Sequence, residues 1–280
     1  MPEITAAMVK KLRDETQLPM MECKAALKDV EAAKRSLREA GKKFMGKRQD
    51  RATEEGRIGI YASVADGVGA MVELQCESAP VAANQEFAQL ADDLAKQLAT
   101  GPGAKTPEEL WAQPSPSKKG MTLEDQRDEL QNKIREVFRI ARLERIDAPC
   151  GGFVHMSKIG VLLEVEGGTD ELAKDISLHV AAMNPRATLK EDLDSALVEK
   201  ERELQKDRAR QEGKPENIIE KMIEGRMKNF YAEHVLSEQA YVKDESQTVG
   251  NIAKGGGMKL RRFIRWQLGE TGSGDAVDAA

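Results

Sequence analysis

The stretch VGAMVELQCESAPVAANQEFAQL, residues 68–90, contains the change of hydrophobic pattern that decides the fold. Its first half is rich in apolar residues and follows the turn Asp66-Gly67, a strong hairpin signal between apolar runs. Its second half begins a segment, 84–98, in which apolar residues recur at helical spacing. The sequence therefore predicts strands over 57–65 and 68–76 and a helix directly after them.

A second unit of the same kind follows further along the chain. Strands are predicted over 152–156 and 159–166, and Leu172, Ile176 and Val180 mark a helix after them. The segments AMVELQC and VLLEVEG both place apolar residues around a Glu in a strand that leads to a helix. This indicates a weak internal repeat of two related α+β units, with chance similarity of two amphipathic strands as the alternative.

The segment before the first hairpin, 4–47, has the pattern of a small helical module. Thr5 is placed to cap a first helix. Pro19 suits the first turn of a second helix, and a third is predicted over 33–40. One side of the second helix is predicted to be apolar and to consist of Met20, Cys23, Ala26 and Leu27.

Between the two α+β units, residues 100–119 are rich in Pro, Gly and Ser and predict a loop. Thr122 then opens a long helix, with Asp125 placed for a capping box. The apolar face predicted for that helix consists of Leu130, Ile134, Val137, Phe138 and Ala141.

Residues 189–230 predict two helices with a break at Gly213-Lys214-Pro215. Their apolar stripes are narrow, which favours a helical hairpin that projects from the body. The predicted stripes are Leu193, Leu197, Glu201 and Leu204 on the first helix, and Ile219, Met222, Ile223 and Met227 on the second. A capped helical turn near 248–254, a strand over 260–268 and a frayed tail from 271 are predicted to close the chain.

Composition excludes several classes of function. The chain is 32% charged with a net charge of −5, so no global basic field indicates a nucleic-acid-binding protein. Its three cysteines are far apart, which argues against a disulfide framework and favours a reduced, cytoplasmic protein. No apolar run reaches membrane-spanning length, and the N-terminal residues lack a signal-peptide core.

Catalytic motifs are absent from the sequence. His155, His179 and His234 do not form a metal-binding spacing, and neither a phosphate-binding loop nor a nucleophile elbow occurs. His179 has apolar neighbours on its helix and is predicted to be a packed core histidine. We therefore expect no catalytic residue, no metal and no cofactor, and a binding protein built from several modules.

Five separated segments carry a resemblance to a known family. They are ITAAMVKKLRDETQLPMMECKAAL, GAMVELQCES, IGVLLEVEG with HVAAMNP, GKPENIIEKMIEGRMKNF and TVGNIAK. Together they resemble bacterial elongation factor Ts, the guanine-nucleotide exchange factor of elongation factor Tu. The resemblance is collinear from Ile4 to about Glu270.

The resemblance implies an α+β fold with an N-terminal three-helix, ubiquitin-associated-like module, two related core subdomains and a protruding antiparallel helical hairpin. The implied boundaries are 1–47 for the helical module, 48–56 for a linker, 57–145 for the first core subdomain, 146–188 with 231–270 for the second subdomain and closing module, 189–230 for the helical hairpin, and 271–280 for the tail.

It also implies where the partner is contacted. Where the family has Thr-Asp-Phe-Val, this chain has Ser78, Ala79, Pro80 and Val81. The family's Asp-Phe pair is linked to dislodging the magnesium ion of elongation factor Tu, and Ala79 and Pro80 cannot act in the same way. Arg13, Met20 and Met21 match family positions in the N-terminal module that contact the partner. For Met20 and Met21 the alternative is core packing, and for Ala79-Pro80 it is a plain helix start capped by Ser78.

The function implied is binding of GDP-bound and nucleotide-free elongation factor Tu, and release of GDP without covalent chemistry. One alternative is a partner-binding protein with weakened exchange, because the wedge is missing. Another is a ribosome- or RNA-associated protein, suggested by Leu260-Arg261-Arg262-Phe263 and the helical hairpin and opposed by the acidic balance. Neither a membrane nor direct nucleic-acid contact is expected, and a homo-oligomer is left open.

Overall fold

The computed structural model describes residues 5–16, 19–27, 51–213 and 215–270, which fall into two compact units. The first unit takes the described residues within Met1–Ile60, Ala70–Glu144 and Leu268–Ala280. The second takes Tyr61–Gly69 and Arg145–Gln267. The predicted third helix, the first part of the predicted linker and the predicted frayed tail lie outside the described residues.

A three-stranded sheet forms the centre of the first unit. Its strands, in the order β1-β2-β3, are β1 (Glu55–Ser63), β2 (Val68–Cys76) and β3 (Arg139–Ile146). All nine residues of β2 are buried, so this strand is covered on both faces. The sequence predicted β2 with these bounds and did not predict β3.

Six helices are described in the first unit: two precede β1 along the chain, and four lie between β2 and β3. Asn84 accepts hydrogen bonds from the backbone N–H groups of Glu86 and Phe87 and so caps the fourth helix. The apolar face predicted for this helix is confirmed, because its five members, Phe87, Leu90, Ala91, Leu94 and Leu98, have no exposed surface. The helices are α1 (Ala6–Thr16), α2 (Met20–Ala26), α3 (Ala79–Ala82), α4 (Gln85–Thr100), α5 (Pro107–Trp111) and α6 (Leu123–Ile134).

The segment between α4 and α6 is more ordered than the predicted loop. It contains α5, whose Leu110 and Trp111 are buried. The buried Asp93 of α4 accepts hydrogen bonds from the Ser117 hydroxyl and from Gln126 Nε2, the latter at 2.9 Å. These polar contacts hold the Pro- and Ser-rich segment against the helices, which sequence composition does not show.

The predicted helix over 122–141 is correct in its first half and wrong in its second. Thr122 and Asp125 form the predicted capping box. The helix ends at Ile134, since Arg135 adopts the left-handed conformation at φ 67°. Val137 and Phe138 are buried in the approach to β3, outside the helix.

The second unit repeats the arrangement of sheet and helix. Its antiparallel sheet has the order β4-β5-β8, with β4 (Cys150–His155), β5 (Ile159–Gly167) and β8 (Met258–Gln267). Thr169 caps α7 (Asp170–Met183), which follows the central strand as α3 and α4 follow β2. This supports the predicted internal repeat and confirms the α+β fold class. The unit also contains β6 (Ala240–Tyr241), β7 (Asp244–Thr248) and α10 (Val249–Gly255).

The predicted helical hairpin consists of α8 (Ser195–Gln211) and α9 (Glu216–His234). Its core cluster comprises Ala209, Ile219, Ile223 and Met227. The stripe predicted for the first helix is wrong in part: Leu204 is 44% exposed, and Leu193 precedes α8 and packs with Ala187 and Val235. Polar contacts replace it, because Arg226 donates to both carboxylate oxygens of Glu212 at 2.8 and 2.9 Å.

Candidate partner-binding site

The turn that follows β2 is the first part of the candidate site. Ala79 and Pro80 open the single-turn helix α3 with exposed side chains, whereas Val81 is buried. The backbone N–H groups of Ala82 and Ala83 donate to the carbonyl oxygens of Ser78 and Ala79. The turn therefore presents two small side chains to solvent on a hydrogen-bonded backbone.

Ser78 does not cap this helix, contrary to the prediction for a plain helix start. Its backbone is extended, with φ −138° and ψ 149°, and its side chain makes no capping hydrogen bond. Instead the Ser78 hydroxyl donates to Glu136 Oε1 at 2.6 Å. Pro80 occupies the first helical turn, where its missing N–H group leaves no hydrogen bond unmade.

Two carboxylates bind backbone N–H groups at this turn. Glu136 Oε2 accepts from the N–H groups of Glu77 and Ser78, each at 3.1 Å. In return, Glu77 Oε1 accepts from the N–H of Val137 at 2.9 Å. Arg51 donates to Glu77 Oε2 at 2.8 Å, so one of the two carboxylates is also paired with a cation.

The thiol of Cys76 lies beneath the same turn. It is fully buried and donates a hydrogen bond to the Ser78 carbonyl oxygen at 3.3 Å. Burial, together with the nearby Glu136 carboxylate, raises the pKa of this thiol to about 12. Cys76 is therefore protonated at neutral pH and is unsuited to act as a nucleophile.

The N-terminal helices carry the remaining predicted site residues. Arg13 on α1 is exposed, and Met20 and Met21 on α2 are 58% and 78% exposed. Met20 and Cys23 lie three residues apart and so on the same side of α2, but Met20 is exposed whereas Cys23 has no exposed surface. The core-packing alternative is therefore wrong for Met20. Pro19 stands one residue before α2, at its N-cap position. These residues and the turn 78–81 belong to the same compact unit but come from separate elements.

His179 in the second unit is a packed core histidine, as predicted. Its ring has no exposed surface, and its Nδ1 accepts a hydrogen bond from the Val242 N–H at 3.1 Å. Nε2 must then carry the proton, and it lies 3.0 Å from Gln239 Oε1. Burial lowers the pKa of this imidazole. The residue stabilises the core in its neutral form.

The basic run on β8 is largely neutralised by neighbouring carboxylates. Arg262 Nε donates to Glu164 Oε2 at 2.7 Å, and Arg261 pairs with Glu166 on the adjacent strand. Cross-strand ion pairs of this kind reduce the net positive charge that binding to nucleic-acid phosphates needs. This arrangement opposes the RNA-binding alternative.

Over the described ranges, no group of three or more potential metal-ligating side chains occurs. In the same part of the chain, none of the helices has the length and apolar character needed to cross a membrane.

Sequence reasoning missed Glu136 and Glu77 at the candidate site. Both are carboxylates among many charged residues, and a residue's type does not reveal that it binds backbone N–H groups 58 to 60 positions away. Recognising that the helix ends before residues 135–138 could have pointed to Glu136. The helical spacing of Ile134, Val137 and Phe138 hid that end.

These features define a binding factor built from two α+β units. Its candidate site is an exposed turn on a hydrogen-bonded backbone, above a buried and protonated thiol.

Comparison with known proteins identifies the family. The family model described as "Elongation factor TS" matches residues 77–270. Proteins named elongation factor Ts from Thioalkalivibrio sulfidiphilus, Actinobacillus succinogenes and Haemophilus influenzae are 39%, 40% and 41% identical to this chain. The alignments cover 95%, 96% and 96% of this chain and 92%, 93% and 93% of those relatives. The chain belongs to the elongation factor Ts family and is a translation elongation factor.

Proposed function

We propose that this protein binds elongation factor Tu·GDP in the cytoplasm and promotes release of GDP so that GTP can bind. Family membership supports the partner. The observation that carries the proposal is the turn 78–81, which presents the exposed Ala79 and Pro80 on a hydrogen-bonded backbone. The resemblance matches this turn to the segment through which the family contacts its partner. Such a surface can change a partner's conformation by contact alone.

The mechanism is differential binding. An exchange factor binds the nucleotide-free partner more tightly than the nucleotide-bound partner, and the coupling is reciprocal, so the factor weakens nucleotide binding by the same ratio. A weakening of about a thousandfold corresponds to only ~4 kcal/mol. Several modest contacts can supply this free energy without a large wedge side chain.

The N-terminal module supplies contacts of the required kind. Met20 and Met21 are exposed, unbranched and polarizable, and such side chains adapt to a surface that changes shape. Arg13, also exposed, adds a positive charge. We propose that these residues and the turn 78–81 together favour the nucleotide-free partner.

The primary test is stopped-flow release of a fluorescent GDP analogue from the cognate elongation factor Tu. We expect release to accelerate strongly when this protein is added. Binding without acceleration would refute exchange and would favour the second candidate, a partner-binding protein with weakened exchange. That candidate is suggested by the small, uncharged side chains of Ala79 and Pro80.

A second test concerns the N-terminal module. Changing both Met20 and Met21 to Ala should slow exchange because two adaptable contacts are lost. Met183→Ala is the matched control, since Met183 is 48% exposed and lies in the second unit. Unchanged exchange by the double variant would contradict the distributed mechanism.

A third test restores the family's pair. The double change Ala79→Asp with Pro80→Phe should either accelerate exchange or cause a clash that weakens binding. If neither the rate nor the affinity changes, the turn does not reach the nucleotide site and its assignment is wrong.

A further inference from the structure

The Glu136 side chain binds the polar donors at the start of the turn 78–81. Its carboxylate accepts the N–H groups of Glu77 and Ser78 at 3.1 Å and the Ser78 hydroxyl at 2.6 Å. Hydrogen bonds to an ionised acceptor are roughly twice as strong as neutral ones. Glu136 therefore makes three charge-assisted bonds at the point where the chain leaves β2.

The backbone at Glu136 is held independently of its side chain. Arg135 turns the chain in the left-handed conformation, and its N–H donates to the Gln131 carbonyl at 2.7 Å. On the other side, Phe138 is buried with its ring centroid 4.9 Å from that of Phe87, and the Val137 N–H donates to Glu77. Glu136 thus reaches the turn from a fixed support.

The exposed side chains of the turn offer no polar group that could fix its position. Ala79 and Pro80 have short, apolar side chains, and the Ser78 side chain is already used by Glu136. Any effect of the turn on the conformation of a partner must therefore depend on the position of its backbone. If the turn occupied its docking position in only one-tenth of the molecules, its effect on the partner would fall about tenfold.

We propose that Glu136 is the positioning residue of the exchange turn, an inference that rests on the proposed function. Its carboxylate holds residues 77–78 so that Ala79 and Pro80 meet the nucleotide-binding domain of the partner in one conformation. Glu136 itself does not touch the nucleotide.

The test compares three changes in the full-length protein: Glu136→Ala, Glu136→Gln and the control Asp125→Ala. The control removes half of the capping box at the opposite end of α6, so it perturbs the same helix without touching the turn. A glutamine side chain is close in shape to that of Glu136, and its amide can still accept from backbone N–H groups and donate to the Ser78 hydroxyl. Release of fluorescent GDP is measured at saturating protein, and affinity for the GDP-bound partner is measured separately.

We expect Glu136→Ala to lower the saturating release rate about tenfold, because the turn would hold its docking position in only about one-tenth of the complexes. Affinity for the GDP-bound partner should change less than twofold, because the proposed contacts of the N-terminal module are unaltered. Glu136→Gln should recover most of the rate. Asp125→Ala should lose about as much thermal stability as Glu136→Ala but retain the wild-type release rate. Equal losses in Glu136→Ala and Asp125→Ala, or a rate in Glu136→Ala within twofold of wild type, would overturn the proposal.

Cys76 provides a readout that does not depend on exchange. Its thiol is buried against the Ser78 carbonyl, and Cys23 and Cys150 are also buried and serve as internal references. Because the Glu136 carboxylate also raises the pKa of the Cys76 thiol, Glu136→Ala is compared with Glu136→Gln, which removes the charge as well. Glu136→Ala should be labelled at Cys76 by a thiol reagent about tenfold faster than Glu136→Gln, with no change at the other two cysteines. If the wild-type protein failed to accelerate release, the proposed function would fail, and this labelling comparison would still decide whether Glu136 holds the turn.

Discussion

Glu73 offers the sharpest test of how the first unit is stabilised. Its side chain lies in the central strand β2 and has no exposed surface. Glu73 Oε2 accepts from Arg142 Nε at 2.7 Å, while Oε1 accepts from Gln75 Nε2 at 2.8 Å and from the Gly269 N–H at 3.2 Å. The perturbation is Glu73→Ala, which removes the acceptor that these three donors share.

The expected cost follows from the burial of the pair. Removing one partner of a buried ion pair costs about 3–5 kcal/mol, because the other charge stays buried and uncompensated. The Arg142 side chain is 23% exposed and can regain some hydration, so we expect the lower end, about 3 kcal/mol. Glu73→Gln retains the shape but also leaves the Arg142 charge uncompensated, and its N–H₂ group would face a donor, so it should cost nearly as much, about 3 kcal/mol.

The assay must report on the first unit alone, since a chain of two units need not unfold in one step. The sequence contains two tryptophans, Trp111 in the first unit and Trp266 in the second. In a Trp266→Phe background, the fluorescence of Trp111 follows unfolding of the first unit. A loss of about 3 kcal/mol should lower the thermal midpoint by roughly 6–12 °C.

The control is Glu86→Ala, which breaks an exposed ion pair to Lys133, 52% and 63% exposed respectively, and should cost under about 1 kcal/mol. The double variant Glu73→Ala with Arg142→Ala should lose less than the sum of the single changes, because no uncompensated charge remains. A loss below about 1 kcal/mol for Glu73→Ala, or additive single losses, would refute the argument.

Three further predictions concern single positions. Arg135→Gly should stabilise the first unit by about 0.5–1 kcal/mol in denaturant titrations, since the left-handed conformation costs a non-glycine residue roughly 1–2 kcal/mol and glycine's freedom in the unfolded chain offsets part of this gain. Gly151→Ala should destabilise the second unit by about 2 kcal/mol or more, read as a lower unfolding midpoint, because its new Cβ would lie 2.5–2.7 Å from atoms of Ala173, backbone included. Burial lowers the pKa of His179, so as the pH falls the unfolded chain binds the proton first. The second unit should keep its full stability above about pH 6.5 and lose it progressively below, and His179→Gln should reduce that pH dependence of the midpoint.

The sequence predicted those parts of the fold in which local pattern and burial agree. Strand β2 has a clear hairpin signal before it, and the apolar residues of α4 all lie on its buried face. The helix predicted through Ala141 is wrong in its second half. The spacing of Ile134, Val137 and Phe138 fits a continued helix as well as it fits the observed turn and approach to β3. A single left-handed residue, Arg135, decides between the two structures, and arginine gives no signal for that conformation.

The resemblance located the candidate site, but the side-chain contacts that hold the site together could not be predicted from the sequence. The exposed positions Ala79, Pro80, Met20 and Met21 follow from matching family positions. The carboxylate contacts of Glu136 and Glu77 join residues about 60 positions apart, and only the tertiary structure brings them together. Long-range polar contacts of this kind have no periodic signature in a sequence.

The division of the chain between the two units has a consequence for biosynthesis. The first unit contains residues from before and after Arg145–Gln267, and the Gly269 N–H reaches back 196 positions to Glu73. Synthesis proceeds at roughly 5–20 residues per second. After its own synthesis, Glu73 therefore lacks its Gly269 donor for roughly 10–40 seconds, until residue 269 has been added. A translation factor of this architecture completes its first unit only after the whole segment Arg145–Gln267 of the second unit has been synthesised.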